Sequence, residues 1–201
     1  MKKISVLERV LLLGTGLLAA IQITVGLEKM SSLATWSYTI GFGTLLVAGL
    51  LLIILGFEVL QSQIVVIVST LIPLSISLGL ITEHLTRFAI PYLIFCIIGI
   101  LLITVSRFSS RRKAATVILA IVHGIAGLII TVLPITLSIQ GAVPFGYALV
   151  GLGGALIGIG GLLLAFLKAG KPILPQQTIL SVLPYILLLM TAAFVGGFSF
   201  R

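Results

Sequence analysis

Six stretches of this 201-residue chain contain no Lys, Arg, Asp or Glu: residues 10–27, 30–57, 59–82, 88–106, 114–167 and 172–200. No other feature constrains the fold so strongly. A membrane-spanning helix needs about 20 mostly apolar residues, and each run is near that length or beyond it. A soluble fold must cover its outside with polar groups, and soluble chains are roughly 25% charged. Here charged residues make up 8% and hydrophobic ones 60%. Strands of a membrane barrel need only about 10 residues, so helices, which satisfy their own backbone groups in lipid, suit runs this long. The chain reads as an all-α integral membrane protein.

Run 114–167 is too long for one crossing and has to fold back. Gln140, Gly141 and Pro144 supply the turn. Seven transmembrane helices follow, over 7–27, 36–57, 63–82, 88–106, 114–136, 145–167 and 177–199. The connections are short, so residues 1–201 read as a single transmembrane domain. The first segment has the Lys2–Lys3 start of a signal peptide. Its apolar stretch runs on past Ala20 to Leu27, and we expect an uncleaved anchor.

The net charge of +8 is distributed unevenly. With the N-terminus in the cytoplasm, Lys2, Lys3, Arg9, Arg107, Arg111, Arg112, Lys113, Lys168 and Lys171 fall on the cytoplasmic side, and only Lys29, Arg87 and Arg201 outside. That is the positive-inside bias. It gives a cytoplasmic N-terminus and a C-terminus outside. The same topology fits an organelle's inner membrane, and a bacterial or archaeal plasma membrane is the expected location. Arg107, Arg111, Arg112 and Lys113 should meet anionic headgroups of the bilayer; basic residues placed this way do not indicate nucleic acid. Trp36, Tyr38, Phe88, Tyr92, Phe145 and Tyr147 fall at outer span ends, and Phe57, Phe108 and Phe166 at inner ones, where interfacial aromatic belts lie.

Residues 40–55 (IGFGTLLVAGLLLIIL) and 150–165 (VGLGGALIGIGGLLLA) align without gaps. Gly41 and Gly43 match Gly151 and Gly153, and Ala48 matches Gly158. The ITV at 23–25 matches the ITV at 130–132, and STLIP at 69–73 resembles SVLP at 181–184. Spans 1–3 would then correspond to spans 5–7 as a 3+1+3 parallel internal repeat, with span 4 as a linker. Parallel repeats occur in transporters.

The six glycines of 150–166 do not form a phosphate-binding loop. The sixth position of each Gly-x-Gly start is Leu156 or Leu163, and the setting is a membrane span. On a helix, Gly151, Gly154, Gly158, Gly161 and Ala165 share an arc of about 80°, and Gly146, Gly153 and Gly160 make a second stripe. Small residues let helices approach closely in lipid, so span 6 is expected to pack on two sides and to be the central helix. Gly41 and Gly49 give span 2 a comparable seam.

Thr116, Ala120, His123, Gly127, Thr131, Pro134 and Ser138 lie within about 80° on span 5, and this face should look into the bundle. His123 is the one histidine within a span, and intramembrane ionisable groups are functional candidates. Three readings compete: a hydrogen-bonding residue between helices, a substrate contact in a cavity, and an axial ligand to a haem or chlorophyll-like pigment. Thr15 and Gln22 share a face of span 1, and Gln22 needs polar partners in hydrocarbon. Span 4 has the least polar face and should lie against lipid. Cys96, the only cysteine, reads as an apolar filler.

The chain has no Asp, and its four Glu residues (8, 28, 58 and 83) lie at span ends. Cation-coupled carriers and proton pumps use a carboxylate near the midplane, which argues against such coupling. No nucleophile–base pair or metal-ligand spacing appears, so an enzyme or a metal site is not expected. Two functional classes remain. One is a facilitator or channel-like transporter of a small neutral or weakly polar solute, with His123, Gln22, Thr15, Thr116 and Thr131 along its pathway. The other is a non-catalytic structural or accessory subunit of a larger membrane complex, one that could also hold lipid or pigment; other membrane subunits or further copies of the chain (a homo-oligomer) are the candidate partners. A transporter should be open at His123, and a subunit filled there.

Overall fold

A computed structural model describes residues 3–26, 30–108, 112–168, 170 and 172–201. Of the basic residues expected at headgroups, Arg111 lies outside these, as do the side chains of Arg112 and Lys113. The described residues form helices long and apolar enough for seven membrane crossings.

Helix α1 (Val6–Val25) starts at a capping box. Ser5 Oγ accepts from the Glu8 amide at 3.2 Å, and Glu8 Oε2 accepts from the Ser5 amide at 2.8 Å. Ser31 caps α2 (Ser32–Leu55) in the same way, accepting from Ala34 at 3.3 Å. Both helices stop at glycines with positive φ, Gly26 and Gly56 (66° and 74°). A 3₁₀ segment, Gly56–Gln61, carries the second crossing on.

The third crossing is two helices, α3 (Gln63–Ser69) and α4 (Leu71–His84), joined at Thr70. Pro73 explains the break, because its ring lacks the N–H that would reach back one turn to Ser69. The remaining crossings are α5 (Ala89–Phe108), α6 (Arg112–Ile139), α7 (Ala148–Lys168) and α8 (Gln176–Phe198). Pro134 and Pro184 lie inside α6 and α8.

The packing order is a closed ring. Helix α1 packs on α2 and α8, α2 on α4, α4 on α6, α6 on α7, and α7 on α8. Helix α5 lies outside the ring against α4 and α6, with Ile90, Ile94, Ile97, Leu101 and Val105 facing outward. An odd number of crossings puts the start of α1 and the end of α8 at opposite ends. These are called the Arg107 end and the Arg201 end.

Span 6 is not the most enclosed helix, contrary to the glycine pattern. That place belongs to α4, where every residue from Ile72 to Thr82 is buried. It is packed by α2, α5 and α6, so it can bury all faces with Leu and Ile and needs no glycine stripe. Helix α7 does pack on two sides. A Cβ at Gly154 would lie 2.8 Å from Ile130 of α6, and one at Gly153 would lie 2.5 Å from the Phe194 ring of α8.

The crossing of α2 with α4 and that of α7 with α8 are built alike. A Cβ at Gly41 would lie 2.9 Å from the Ile76 side chain and 3.6 Å from the Ile72 carbonyl oxygen. One at Gly153 would meet the Phe194 ring and, at 3.1 Å, the carbonyl oxygen of Met190, four residues earlier. Three residues past Ile76, Gly79 receives the ring of Tyr38, which stands three before Gly41. Three residues past Phe194, Gly197 receives Val150, which stands three before Gly153. Gly49 and Gly161, each eight residues further on, approach α1 at Leu12 and α6 at His123. These contacts pair Gly41 with Gly153, whereas the ungapped alignment pairs it with Gly151.

Candidate functional site

Two polar places stand out among the described residues. The first is the α6–α7 crossing at His123. Its ring bonds to the backbone of Ile157 on α7. Its Nε2 is buried without a hydrogen-bond partner among the described residues and faces Gly161, where a Cβ would lie 2.7 Å away. One turn along, the packing opens, since a Cβ at Gly127 or Gly158 would meet nothing within 4 Å. Thr131 borders this stretch, with its hydroxyl donating to the Gly127 carbonyl at 2.8 Å.

Room is what a tetrapyrrole at His123 would require, and Nε2 does not offer it. The nitrogen has less than 1 Å² of exposed surface, and the α7 backbone stands in front of it. The residues present do not fit a haem or chlorophyll-like ligand there.

The other pathway candidates do not gather around His123. Thr15 is buried in α1 and donates to Leu11 of its own helix at 3.0 Å. Gln22 Nε2 reaches the Gly26 carbonyl at 3.5 Å. It borders a recess of about 20 Å³ shared with Met30, Thr35 and Tyr38, room for about one water. Thr116 is half-buried on α6, two turns from His123 toward the Arg107 end. Helices α1 and α6 lie across the ring, and Ala19 and Ile130 both sit in the core between them.

The second place, at the Arg201 end, was missed in the sequence. Tyr38 from α2, Glu83 and His84 from α4, Tyr147 ahead of α7, and Arg201 beyond α8 converge there. The Tyr38 hydroxyl donates to Glu83 Oε2 at 3.2 Å, and Arg201 Nε pairs with Glu83 Oε1. His84 Nε2 and the Tyr147 hydroxyl are 2.9 Å apart, and the same nitrogen is 3.7 Å from Glu83 Oε1. The Phe198 ring packs edge-on against Tyr38 and Tyr147, at centroid distances of 4.8 and 6.0 Å.

Tyr38 and Tyr147 were expected in the interfacial belt, yet they are 3% and 0% exposed. Trp36 and Phe145, two residues away from them, are 67% and 80% exposed and do face outward. A two-residue step turns an α-helix by about 200° and the 3₁₀ turn Phe145–Tyr147 by about 240°, so each pair puts one ring in the core and one at the surface. The signal in the sequence was Glu83, one of two acids, with Glu28, on the same side as Arg201.

No protein family matches the chain, and no curated protein or solved structure matches it. What the protein does must therefore be argued from the helices and these two places.

Proposed function

We propose that the protein is a facilitator or channel-like transporter of a small neutral or weakly polar solute. It is built from two parallel three-span halves, α1–α4 and α6–α8, with α5 as the linker. The observation that carries this reading is the pair of matching crossings. Gly41 and Gly79 receive Ile76 and Tyr38 as Gly153 and Gly197 receive Phe194 and Val150. The packing order supports it too, because exchanging the halves maps the six-span ring onto itself. Transporters with such repeats work by moving one half against the other.

On this reading the Arg201 end is shut. Tyr38, Glu83 and His84 belong to the first half, and Tyr147, Phe198 and Arg201 to the second. The Glu83–Arg201 and His84–Tyr147 contacts therefore tie the halves together. Opening at this end exchanges them for water. The crossing of α6 and α7 is filled at His123, where Gly161 covers Nε2, and on this reading the solute's route opens there only during the transport cycle, beside Thr131, where Gly127 and Gly158 leave space. The distribution of basic residues places the Arg107 end in the cytoplasm.

Stopped-flow light scattering on proteoliposomes tests the reading, with urea, glycerol and erythritol as probes. Transport predicts shrinkage and recovery faster than in empty liposomes for at least one solute, slowed at least tenfold by His123→Ala. No solute moving faster than in empty liposomes would defeat it.

A second reading, an accessory subunit of a membrane complex, draws on a different observation. Nε2 of His123 is closed off by Gly161, and the hydroxyls of Thr15 and Thr131 are spent on their own helices. Mass measurement of the particle extracted in mild detergent from its native membrane separates the two. Stoichiometric partner chains favour the subunit.

A further inference from the structure

Glu83 Oε1 is approached from two directions. Arg201, beyond α8, pairs with it across the ring, and Nε2 of His84, the next residue of α4, stands 3.7 Å away. The same Nε2 is 2.9 Å from the Tyr147 hydroxyl. One imidazole nitrogen thus sits beside both polar contacts that tie the halves at this end.

What Nε2 does there depends on its proton. Tyr147 is 0% exposed, so its hydroxyl hydrogen needs an acceptor inside the protein, and Nε2 is within reach. Neutral His84, with its hydrogen on Nδ1, accepts that bond and leaves Glu83 to Arg201. In the imidazolium both ring nitrogens carry hydrogen. Nε2 can then no longer accept, and a buried hydroxyl that loses its acceptor is costly. The new charge also faces an oxygen already paired with Arg201. His84 answers Glu83 from its own helix, so the carboxylate no longer depends on a cation from the far half, and the two cations repel. One proton weakens both contacts between the halves.

The other ionisable groups around His84 among the described residues are occupied elsewhere. Tyr38 of α2 donates to Glu83 Oε2. Arg87, in the turn Thr86–Phe88, lies 4.5 Å from the centre of the Phe88 ring. Tyr92 of α5 donates to Ser77 Oγ, two turns deeper along α4. Helix α6 carries no ionisable residue between His123 and its end on this side. The His84 and Glu83 side chains are 13% and 10% exposed, so water can deliver the proton.

We propose that His84 is a proton-operated latch. Acid at the Arg201 end, the side that the basic residues place away from the cytoplasm, releases α4 from Tyr147 and Arg201 and favours opening there. The loosening is a property of these contacts alone. Its effect on solute flow rests on the transport reading.

Double electron–electron resonance on the purified full chain in nanodiscs tests it. Spin labels go on Ser32→Cys and Ala142→Cys in a Cys96→Ala background, two exposed positions at the Arg201 end, one in each half. The pH is lowered from about 8 to about 5, which spans ordinary imidazole titration and stays above that of ordinary carboxylates. A longer-distance population should grow several-fold, and in His84→Gln it should not grow. In Tyr147→Phe, where the donor is already gone, that population should be larger from the start and grow less. Either variant decides the matter if the other fails to fold. A distance unmoved by acid overturns the latch, as does undiminished growth in either variant, which would assign the response to another group. The latch and the transport reading fail separately. Acid-driven opening in a protein that moves no solute leaves the latch standing, and solute movement with no response of the distance to acid removes the latch alone.

Discussion

Glu83, at the end of α4, pairs with Arg201, beyond the end of α8, and so joins two helices that close opposite sides of the ring. The same carboxylate accepts from the Tyr38 hydroxyl. It is the one acid among the described residues at the Arg201 end, and it has a cation and a phenol as partners.

Glu83→Gln removes the ion pair and weakens the Tyr38 bond, and it should destabilise the bundle by about 1–3 kcal/mol. Arg201 is partly exposed, so water replaces some of what it loses. A double-mutant cycle with Arg201→Gln should give a coupling of about 1 kcal/mol. Unfolding titrations in mixed micelles read both values; zero coupling would mean that the pair holds nothing together.

If the Arg201 end is a gate, Tyr147→Phe should also change transport. Losing the hydroxyl removes the 2.9 Å contact with His84 but keeps the ring packed on Phe198. A bond of this kind is worth about 1 kcal/mol, so opening should become several-fold easier and solute flux should rise. Flux unchanged or lowered in Tyr147→Phe would remove this cluster from the transport cycle.

The glycine contacts divide into two groups that alanine scanning can tell apart. A Cβ at Gly79 would lie 2.6 Å from the Tyr38 ring, and one at Gly197 would lie 2.6 Å from the backbone nitrogen of Val150. Alanine at either should cost about 1–3 kcal/mol through overpacking. Gly43 and Gly158 have open space, and alanine there should be neutral or stabilise by up to about 1 kcal/mol, the helix-propensity difference. Thermal unfolding of the four single variants checks the division, and equal effects at all four would contradict the crossings described.

Cysteine labelling tests the orientation. In a Cys96→Ala background, Thr86→Cys should react with a membrane-impermeant maleimide in intact cells. Phe108→Cys should react only after permeabilisation. Both positions are exposed, at opposite ends of α5. The reverse pattern would place the N-terminus outside.

Much of the architecture was readable without coordinates, because crossing a membrane is a demand on composition and length. The charge-free runs anticipated all seven crossings, and the two glycine stripes of α7 foretold that it packs on two sides. The break between α3 and α4 has its cause in the sequence, at Pro73, but only the structure shows one helix ending and the next starting at Thr70. The polar cluster was not readable. Its five members come from four separate parts of the chain, and each has an unremarkable local reading as a belt aromatic or a loop charge. Nothing in the spacing of Tyr38, Glu83 and Arg201 brings them together.

The sequence by itself determined how many times the chain crosses the bilayer, since apolar runs of span length in lipid have to satisfy their own backbone as helices. It also fixed which faces carry small and polar residues, because helical periodicity assigns faces without reference to neighbours. Only the tertiary structure decided what those faces meet. Leu, Ile and Val surfaces are nearly interchangeable in apolar surroundings, so the partner and register of each crossing follow from backbone fit over many residues. That fit set Gly153 against Phe194, closed Gly161 over His123, and carried Glu83 to Arg201.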